Sequence, residues 1–132
     1  EMIEGSRVLI CNDYELAMII KATGFEMSDL LARTTSVITT LGEEGVRLNS
    51  ATEEHLIPAV PVGKVVDPTG AGDAFRAGMI HGLAAGRDLI EAARMGSVSA
   101  SYAVEQRGTQ VHRFTPAQFK KRFERAFGPL QP

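Results

Sequence analysis

The stretch VVDPTGAGDAFRAG, residues 65–78, carries the most specific information in this sequence. An apolar run ends at Asp67, and two glycines, Gly70 and Gly72, precede a segment of helical composition. Glycines permit the backbone angles of a tight turn and allow a ligand to approach the main chain. The N–H groups at the start of the following helix attract anions. The stretch therefore predicts a phosphate-binding loop that leads into a helix over about residues 73–85.

Asp73 lies within this predicted anion site, where a carboxylate repels phosphate and therefore requires an explanation. One interpretation is structural: the residue caps the helix. The other is catalytic: Asp73 accepts the proton of a hydroxyl group that attacks a phosphoryl group, while the N–H groups of residues 70–73 stabilise charge on the transferring oxygens. An aspartate is a far weaker base than an alkoxide, so it would take the proton late in the reaction. The spacing of Asp73 from the glycines does not by itself favour the helix cap over the catalytic base.

Two commoner glycine-rich motifs do not fit the loop. The Walker motif requires Gly-Lys-Ser/Thr, and the loop has no lysine in that place. The dinucleotide-binding fingerprint requires a third small residue where Phe75 stands. The loop is therefore a poor match to either class.

Strands and helices alternate on both sides of the loop. Apolar, β-type runs predict strands over residues 7–11, 36–42, 46–50, 55–62 and 63–67. Helical spacing and capping signals predict helices over residues 12–24, from Ser28 through Ala32, and from the boxes Asp88–Glu91 and Thr115–Gln118. Phe119, Phe123 and Phe127 form an aromatic stripe on the last helix, typical of a core-facing side. The alternation predicts an α/β fold with a mostly parallel sheet, as one domain over residues 1–132.

Composition narrows the class of protein. The chain has 132 residues, 44% of them hydrophobic, with a net charge of −2, so it lacks the basic field expected of a nucleic-acid-binding protein. A single cysteine, Cys11, excludes a disulfide framework and favours a reducing, cytoplasmic compartment. No apolar run is long enough to predict a membrane span.

The segment DPTGAGDAF resembles the D-T-x-G-A-G-D signature of the ribokinase-like (PfkB-type) carbohydrate and nucleoside kinases. The resemblance implies a three-layer α/β/α fold and transfer of the γ-phosphoryl group of ATP to a hydroxymethyl group of a sugar or nucleoside. It implies an anion hole at Gly70, Ala71 and Gly72, a nucleotide contact at Thr69, and a catalytic base at Asp73. Pro68, which departs from the usual threonine, and Arg76 make the sequence most similar to the bacterial adenosine-kinase-like branch.

Two upstream motifs fit the same resemblance. NDYE, with Asn12 and Glu15, forms a capping box on spacing alone, and the resemblance implies that the pair also places Mg²⁺ through water. TTLGEEG is a hairpin turn on composition alone. The resemblance adds nucleotide contacts to this turn at Thr40, Gly42 and Gly45.

The downstream helix and the loop after it complete the resemblance. The helix contains many small residues, and the resemblance makes it a wall of the adenine pocket, at Ser97 and Ala100. Serine replaces the asparagine that the family often has there. The resemblance also implies a K⁺ ion held by backbone carbonyls near Asp67, Thr69, Arg107 and Gly108. Gly108 serves equally well as a helix C-cap on sequence grounds.

The motifs follow the order of the C-terminal, nucleotide-binding half of such a kinase. The resemblance implies that the N-terminal half, which supplies most contacts to the substrate, is absent from these residues. An apolar sheet edge would then be covered by that half or by a second copy of the chain, as a homo-oligomer. Three hypotheses follow: part of an active kinase, a self-associating nucleotide-binding module with little activity, and a non-catalytic interaction domain. The third is disfavoured because Asp73 and its flanking glycines are present.

Overall fold

The computed structural model of the chain describes residues 8–105 and 114–130. These residues form two compact units, one ending at Pro58 and the other beginning at Ala59. The first unit contains strands and helices, and the second contains helices and irregular segments. The assignment of residues 1–132 to one domain stays a prediction.

The first unit is built on a four-stranded sheet of order β1-β2-β3-β4. The strands are β1 (Val8–Asn12), β2 (Ser36–Thr40), β3 (Val46–Ser50) and β4 (Glu54–Ile57). Two helices, α1 (Asp13–Thr23) and α2 (Met27–Arg33), connect β1 to β2. β2 lies between two neighbours and supplies the fully buried Val37 and Ile38 to the core.

The sheet is mixed among the strands that the structure describes. β1 and β2 run parallel, as the long helical connection between them allows, whereas β2–β3 and β3–β4 are antiparallel. The short turns after β2 and β3 can join only antiparallel neighbours. The predicted α/β class is confirmed, and the parallel arrangement is limited in this unit to one pair of strands.

Helix α2 begins two residues earlier than it would with Ser28 as its N-cap. Its N-cap is Glu26, whose N–H group donates to Asp29 Oδ2 at 2.8 Å. The predicted cap at Ser28 is therefore wrong, because the Glu26–Asp29 pair already closes the first turn and Ser28 lies inside the helix.

The second unit contains three helices: α3 (Ala71–Ala84), α4 (Leu89–Val104) and α5 (Pro116–Phe127). The predicted strand over residues 63–67 is wrong. The N–H groups of Val66 and Asp67 both donate to the carbonyl oxygen of Val104, at 2.7 and 3.1 Å. The end of α4 thus takes the hydrogen bonds that a neighbouring strand would have taken. The strand predicted over residues 55–62 is also shorter, because β4 ends before Pro58, which lacks a donor.

Helices α3 and α4 approach closely at their glycines. A Cβ atom built at Gly78 would overlap Ser99 Oγ and lie 2.9 Å from the carbonyl oxygen of Met95. A Cβ atom at Gly96 would lie 2.7 Å from the carbonyl oxygen of Phe75. Glycine is therefore required at these contacts by the distance between the helices. Phe75, buried against α4, lies two residues beyond Asp73.

Helix α5 packs its aromatic stripe against α4. Phe123 is buried with Val98 and Tyr102, and Phe119 and Phe127 pack beside this cluster, which confirms the predicted core-facing side. The helix begins at the predicted capping box, in which Thr115 Oγ1 accepts from Gln118 N at 3.1 Å.

Candidate active site

The glycine-rich loop leads into α3 through a left-handed turn. Gly70 is the N-cap, with φ 87° and ψ −3°, a conformation that strongly favours glycine. Ahead of it, Thr69 N donates to Asp67 Oδ1 at 2.9 Å, and Ala71 N donates to the carbonyl of Pro68 at 3.2 Å. These bonds hold the loop in a compact turn before the helix begins.

The first turn of α3 presents unpaired donors. Among the residues that the structure describes, the N–H groups of Gly72 and Asp73 make no hydrogen bond. Donors at this position lie at the positive end of the helix dipole, so they are suited to an anion. The adjacent Ala74 N donates to Gly70 O at 2.9 Å, which marks where the regular helical pattern starts.

Asp73 lies three residues inside the cap, and its carboxylate is 87% exposed. The N-cap is Gly70, which has no side chain, so Asp73 does not occupy the capping position that its spacing allowed. The carboxylate is 3.4 Å from Arg76 Nη1, one turn along the helix. A base must be within reach of the hydroxyl group that it deprotonates, and no neighbouring group covers most of the Asp73 side chain.

A second group of predicted residues lies at one edge of the sheet in the first unit. Asn12 and Thr40 are register partners at the carboxyl ends of the parallel strands β1 and β2. Glu15 lies in the first turn of α1, directly beyond Asn12. Ligands of α/β proteins commonly bind beyond the carboxyl ends of parallel strands.

The Asn12–Glu15 capping box is confirmed. Asn12 Oδ1 accepts from Glu15 N at 2.6 Å, and Glu15 Oε1 accepts from Asn12 N at 2.9 Å. Because a carboxylate can accept about four hydrogen bonds, this cap does not use up the acceptor capacity of Glu15. The pair therefore fits a role next to Mg²⁺ through water, although the described residues contain no group of three side chains suited to binding a metal directly.

The turn after Thr40 begins at the same edge of the sheet. Gly42 has φ 61° and Gly45 has φ 102°; the short 3-10 helix Gly42–Glu44 begins at the first and ends directly before the second. Leu41 N donates to Gly45 O at 2.8 Å and closes the hairpin between β2 and β3. The predicted hairpin turn is confirmed, and its backbone starts where a ligand at the carboxyl end of β2 would lie.

On α4, Ser97 is only 7% exposed, and its hydroxyl has no hydrogen-bond partner among the described residues. Ala100 is half-buried one turn further along. In the proposed cation loop, Asp67 and Thr69 are placed by the structure, whereas Arg107 and Gly108 lie outside the described residues.

Sequence reasoning missed two features of this site. The anchoring of the loop to Val104 depends on residues far apart in the chain and has no local signal. The contact of Arg76 with Asp73 does have one, because oppositely charged residues three apart on a helix are neighbours.

None of the helices in the described ranges has the length and apolarity that crossing a membrane would require.

Comparison with known proteins identifies relatives along nearly the whole chain. The nucleoside kinase of Methanocaldococcus jannaschii is 34% identical over 125 residues, which are 95% of this chain and 41% of that protein. The ribokinase of Bacillus subtilis is 35% identical over 111 residues, or 83% of this chain and 37% of that protein. The chain thus spans about two fifths of the length of these relatives.

Solved structures agree with the sequence relatives. The nucleoside kinase of Burkholderia thailandensis in complex with inosine superposes with a TM-score of 0.92 at 35% identity, over 98% of this chain and 43% of that one. The ribokinase of Thermotoga maritima superposes with a TM-score of 0.82 at 26% identity, over 89% of this chain and 42% of that one. The ribokinase-like fold is therefore confirmed. The family model for pfkB family carbohydrate kinases matches residues 1–115, and the chain belongs to that family.

Proposed function

We propose that the protein transfers the γ-phosphoryl group of ATP to a hydroxymethyl group of a sugar or nucleoside. The observation that carries this proposal is the start of α3, where the unpaired N–H groups of Gly72 and Asp73 and the exposed carboxylate of Asp73 belong to the same turn. One short segment thus contains both the donors that would bind the phosphate oxygens and the base for the attacking hydroxyl. Relatives named as nucleoside kinases and ribokinases support the same chemistry.

In the proposed reaction, Asp73 orients the acceptor hydroxyl and takes its proton as the oxygen–phosphorus bond forms. The bond between the γ-phosphorus and the oxygen that bridges to the β-phosphate breaks in the same step, and ADP leaves. The anion hole of Gly70, Ala71 and Gly72 stabilises the charge on the transferring oxygens, with the N–H groups of Gly72 and Asp73 as its donors. Because the transition state is loose, positioning and electrostatics supply most of the rate enhancement.

The nucleotide and its cations are proposed to use the remaining predicted residues. Thr40, Gly42, Gly45, Thr69, Ser97 and Ala100 would line the nucleotide. Asn12 and Glu15 would hold Mg²⁺ through water, and the ion would neutralise phosphate charge when bound. Asp67, Thr69, Arg107 and Gly108 would hold K⁺ through backbone carbonyls.

The acceptor is proposed to be a nucleoside such as adenosine, or a ribose-like sugar. Nucleoside kinases are among the most similar relatives in both sequence and structure, and one of these was solved with inosine. The test is a screen of adenosine, inosine, ribose and fructose with the full-length protein, ATP and Mg²⁺, with and without K⁺, following ADP release. Transfer to none of these acceptors would contradict the proposed function.

Gly72→Val is expected to weaken ATP binding at least about tenfold, because a branched side chain would fill the space in front of the unpaired N–H groups. The substitution should leave folding intact, since a Cβ atom at Gly72 meets only Arg76 Nη1, at 3.9 Å. Isothermal titration with ATP and a thermal melt check both expectations. Unchanged ATP affinity in a folded Gly72→Val protein would refute the anion hole.

Glu15→Gln separates the capping role of Glu15 from its proposed metal role. Glutamine can still accept the N–H group of Asn12, so the melting temperature should stay within about 2 °C of the original, while the negative charge is lost. The Mg²⁺ concentration for half-maximal transfer should rise several-fold because the hydrated ion loses a charged acceptor. If the Mg²⁺ dependence of the variant is unchanged, Glu15 has no role in binding the ion, and capping α1 is the role that is left.

A second candidate function is a nucleotide-binding module that self-associates and has little kinase activity. It is favoured by exposed apolar side chains on α3, Ile80 at 61% and Leu83 at 38%. A second copy, or the remaining half of a longer kinase, could cover such side chains. Sedimentation of the 132-residue chain with and without ATP, combined with a turnover assay, distinguishes the two functions. A stable dimer that binds ATP without turnover would favour the module.

The protein is proposed to work in the cytoplasm on small molecules, without nucleic acid or membrane as partner. The net charge of −2 and the single, buried Cys11 support this assignment.

A further inference from the structure

Arg76 lies one turn beyond Asp73 on α3, and its side chain folds back toward the start of the helix. Its Nη1 atom is 3.4 Å from Asp73 Oδ1, and a Cβ atom built at Gly72 would lie 3.9 Å from the same nitrogen. Long side chains on a helix lean toward its N-terminus, so this direction is a favourable one. The guanidinium group therefore lies beside Gly72 and the side chain of Asp73, two residues of the proposed phosphate-binding turn.

The contact with Asp73 is of a kind that an incoming anion can displace. It is longer than a usual charge-assisted hydrogen bond, and the two side chains are 36% and 87% exposed, so solvent screens the pair. Arg122 in the same unit is different: it lies 2.5 Å from Glu105 and over the ring of Tyr102. That arginine fastens α5 to α4, whereas Arg76 lies in the first two turns of α3, next to Asp73.

Apart from the proposed Mg²⁺ ion, the residues of the loop itself bring little positive charge to the anion site. The loop contains two carboxylates, Asp67 and Asp73, and no lysine. The N–H groups at a helix start provide only partial positive charge, while the terminal phosphates of ATP carry several full negative charges. A guanidinium group presents several donors in a planar fork that matches phosphate oxygens. Arg76 is positioned to supply this charge next to the loop.

We propose that Arg76 is a further phosphate-binding residue, which contacts the terminal phosphate of ATP and leaves Asp73 to the acceptor hydroxyl. This inference rests on the proposed function and adds to it the group that offsets the repulsion between Asp73 and the nucleotide. When ATP binds, the guanidinium exchanges its contact with Asp73 for phosphate oxygens. The carboxylate is then released to accept a hydrogen bond from the acceptor.

The test is a binding cycle with Arg76→Gln, Asp73→Asn and the double variant, titrated with ATP and with AMP in the full-length protein. Arg76→Gln is expected to weaken ATP binding about tenfold or more, because a charge-assisted contact is lost. The loss should be of similar size in the Asp73→Asn background, and AMP affinity should not change. Arg76→Lys should recover part of the affinity. Arg125→Gln, at an exposed position on α5, removes the same charge elsewhere and serves as the matched control.

Each result of the cycle bears on one proposal. An ATP defect that vanishes in the Asp73→Asn background would show that Arg76 acts only through Asp73 and would overturn the phosphate contact. An equal loss of ATP and AMP affinity, or no loss at all, would overturn it as well. The proposed function fails separately, if the unaltered protein binds no ATP or transfers phosphate to none of the screened acceptors.

Discussion

Asp73→Asn is expected to lower the rate of phosphoryl transfer by about 10²- to 10⁴-fold, the range typical for loss of a general base. The change is nearly isosteric, and the exposed carboxylate makes only the long contact with Arg76 among the hydrogen bonds described for it. The helix itself should therefore be undisturbed. ATP affinity should be kept or slightly improved, because the substitution removes a negative charge from an anion site.

The measurement is kcat and KM with the acceptor found in the screen, together with direct titration of ATP. Asp88→Asn is the matched control, since Asp88 caps α4 and asparagine is an equally good N-cap. Transfer that survives in Asp73→Asn at more than about a tenth of the original kcat would remove the assignment of Asp73 as the base.

Of the substitutions suggested for the second unit, Gly78→Val is expected to lower the stability of the fold the most. The added Cβ atom would overlap Ser99 Oγ and lie 2.9 Å from the backbone oxygen of Met95, so α3 and α4 must move apart. Overpacking of this kind costs about 3 kcal/mol. For a chain of this size, that cost lowers the melting temperature by roughly 10 °C.

Gly63→Val is the control for this prediction, because a Cβ atom at Gly63 has nothing within 4 Å. Thermal unfolding of both variants, followed by circular dichroism, gives the comparison. Equal melting temperatures for Gly78→Val and Gly63→Val would mean that the two helices do not approach as closely as described.

Much of the fold could be predicted because its signals are local. The caps at Asn12 and Thr115 depend on residues three apart, and the hairpin after β2 depends on two glycines of a single turn, Gly42 and Gly45. The start of α3 followed in the same way from the glycines of the loop. The predicted helix began at residue 73, whereas α3 begins at Ala71, directly after the left-handed Gly70.

The errors have a different physical origin. Glu26 is not among the preferred N-cap residues, so the sequence favours the more usual Ser28. Residues 63–67 have strand composition, but their hydrogen bonds go to the end of a helix almost forty positions away. Composition reports what a segment favours in isolation and contains nothing about which distant group will accept its N–H protons.

The candidate site likewise has one part that local sequence predicts and one part that depends on distant residues. The loop over residues 70–73 could be identified from its own amino-acid sequence. The neighbourhood of Asn12 and Thr40 could not, because it depends on the parallel register of β1 and β2. A one-residue slip of that register would turn the side chains of one strand to the opposite face.

The bonds from Val66 and Asp67 to the oxygen of Val104 have a consequence for mutational scanning. Both donors and the acceptor belong to the main chain, so nineteen substitutions at Val104 would leave the acceptor in place. Among the natural amino acids, only proline at position 66 or 67 deletes a donor. The attachment of the loop would therefore be almost invisible in an alanine scan. Replacing a single amide by an ester in a semisynthetic chain would reveal it, and tolerance at these positions should not be mistaken for unimportance.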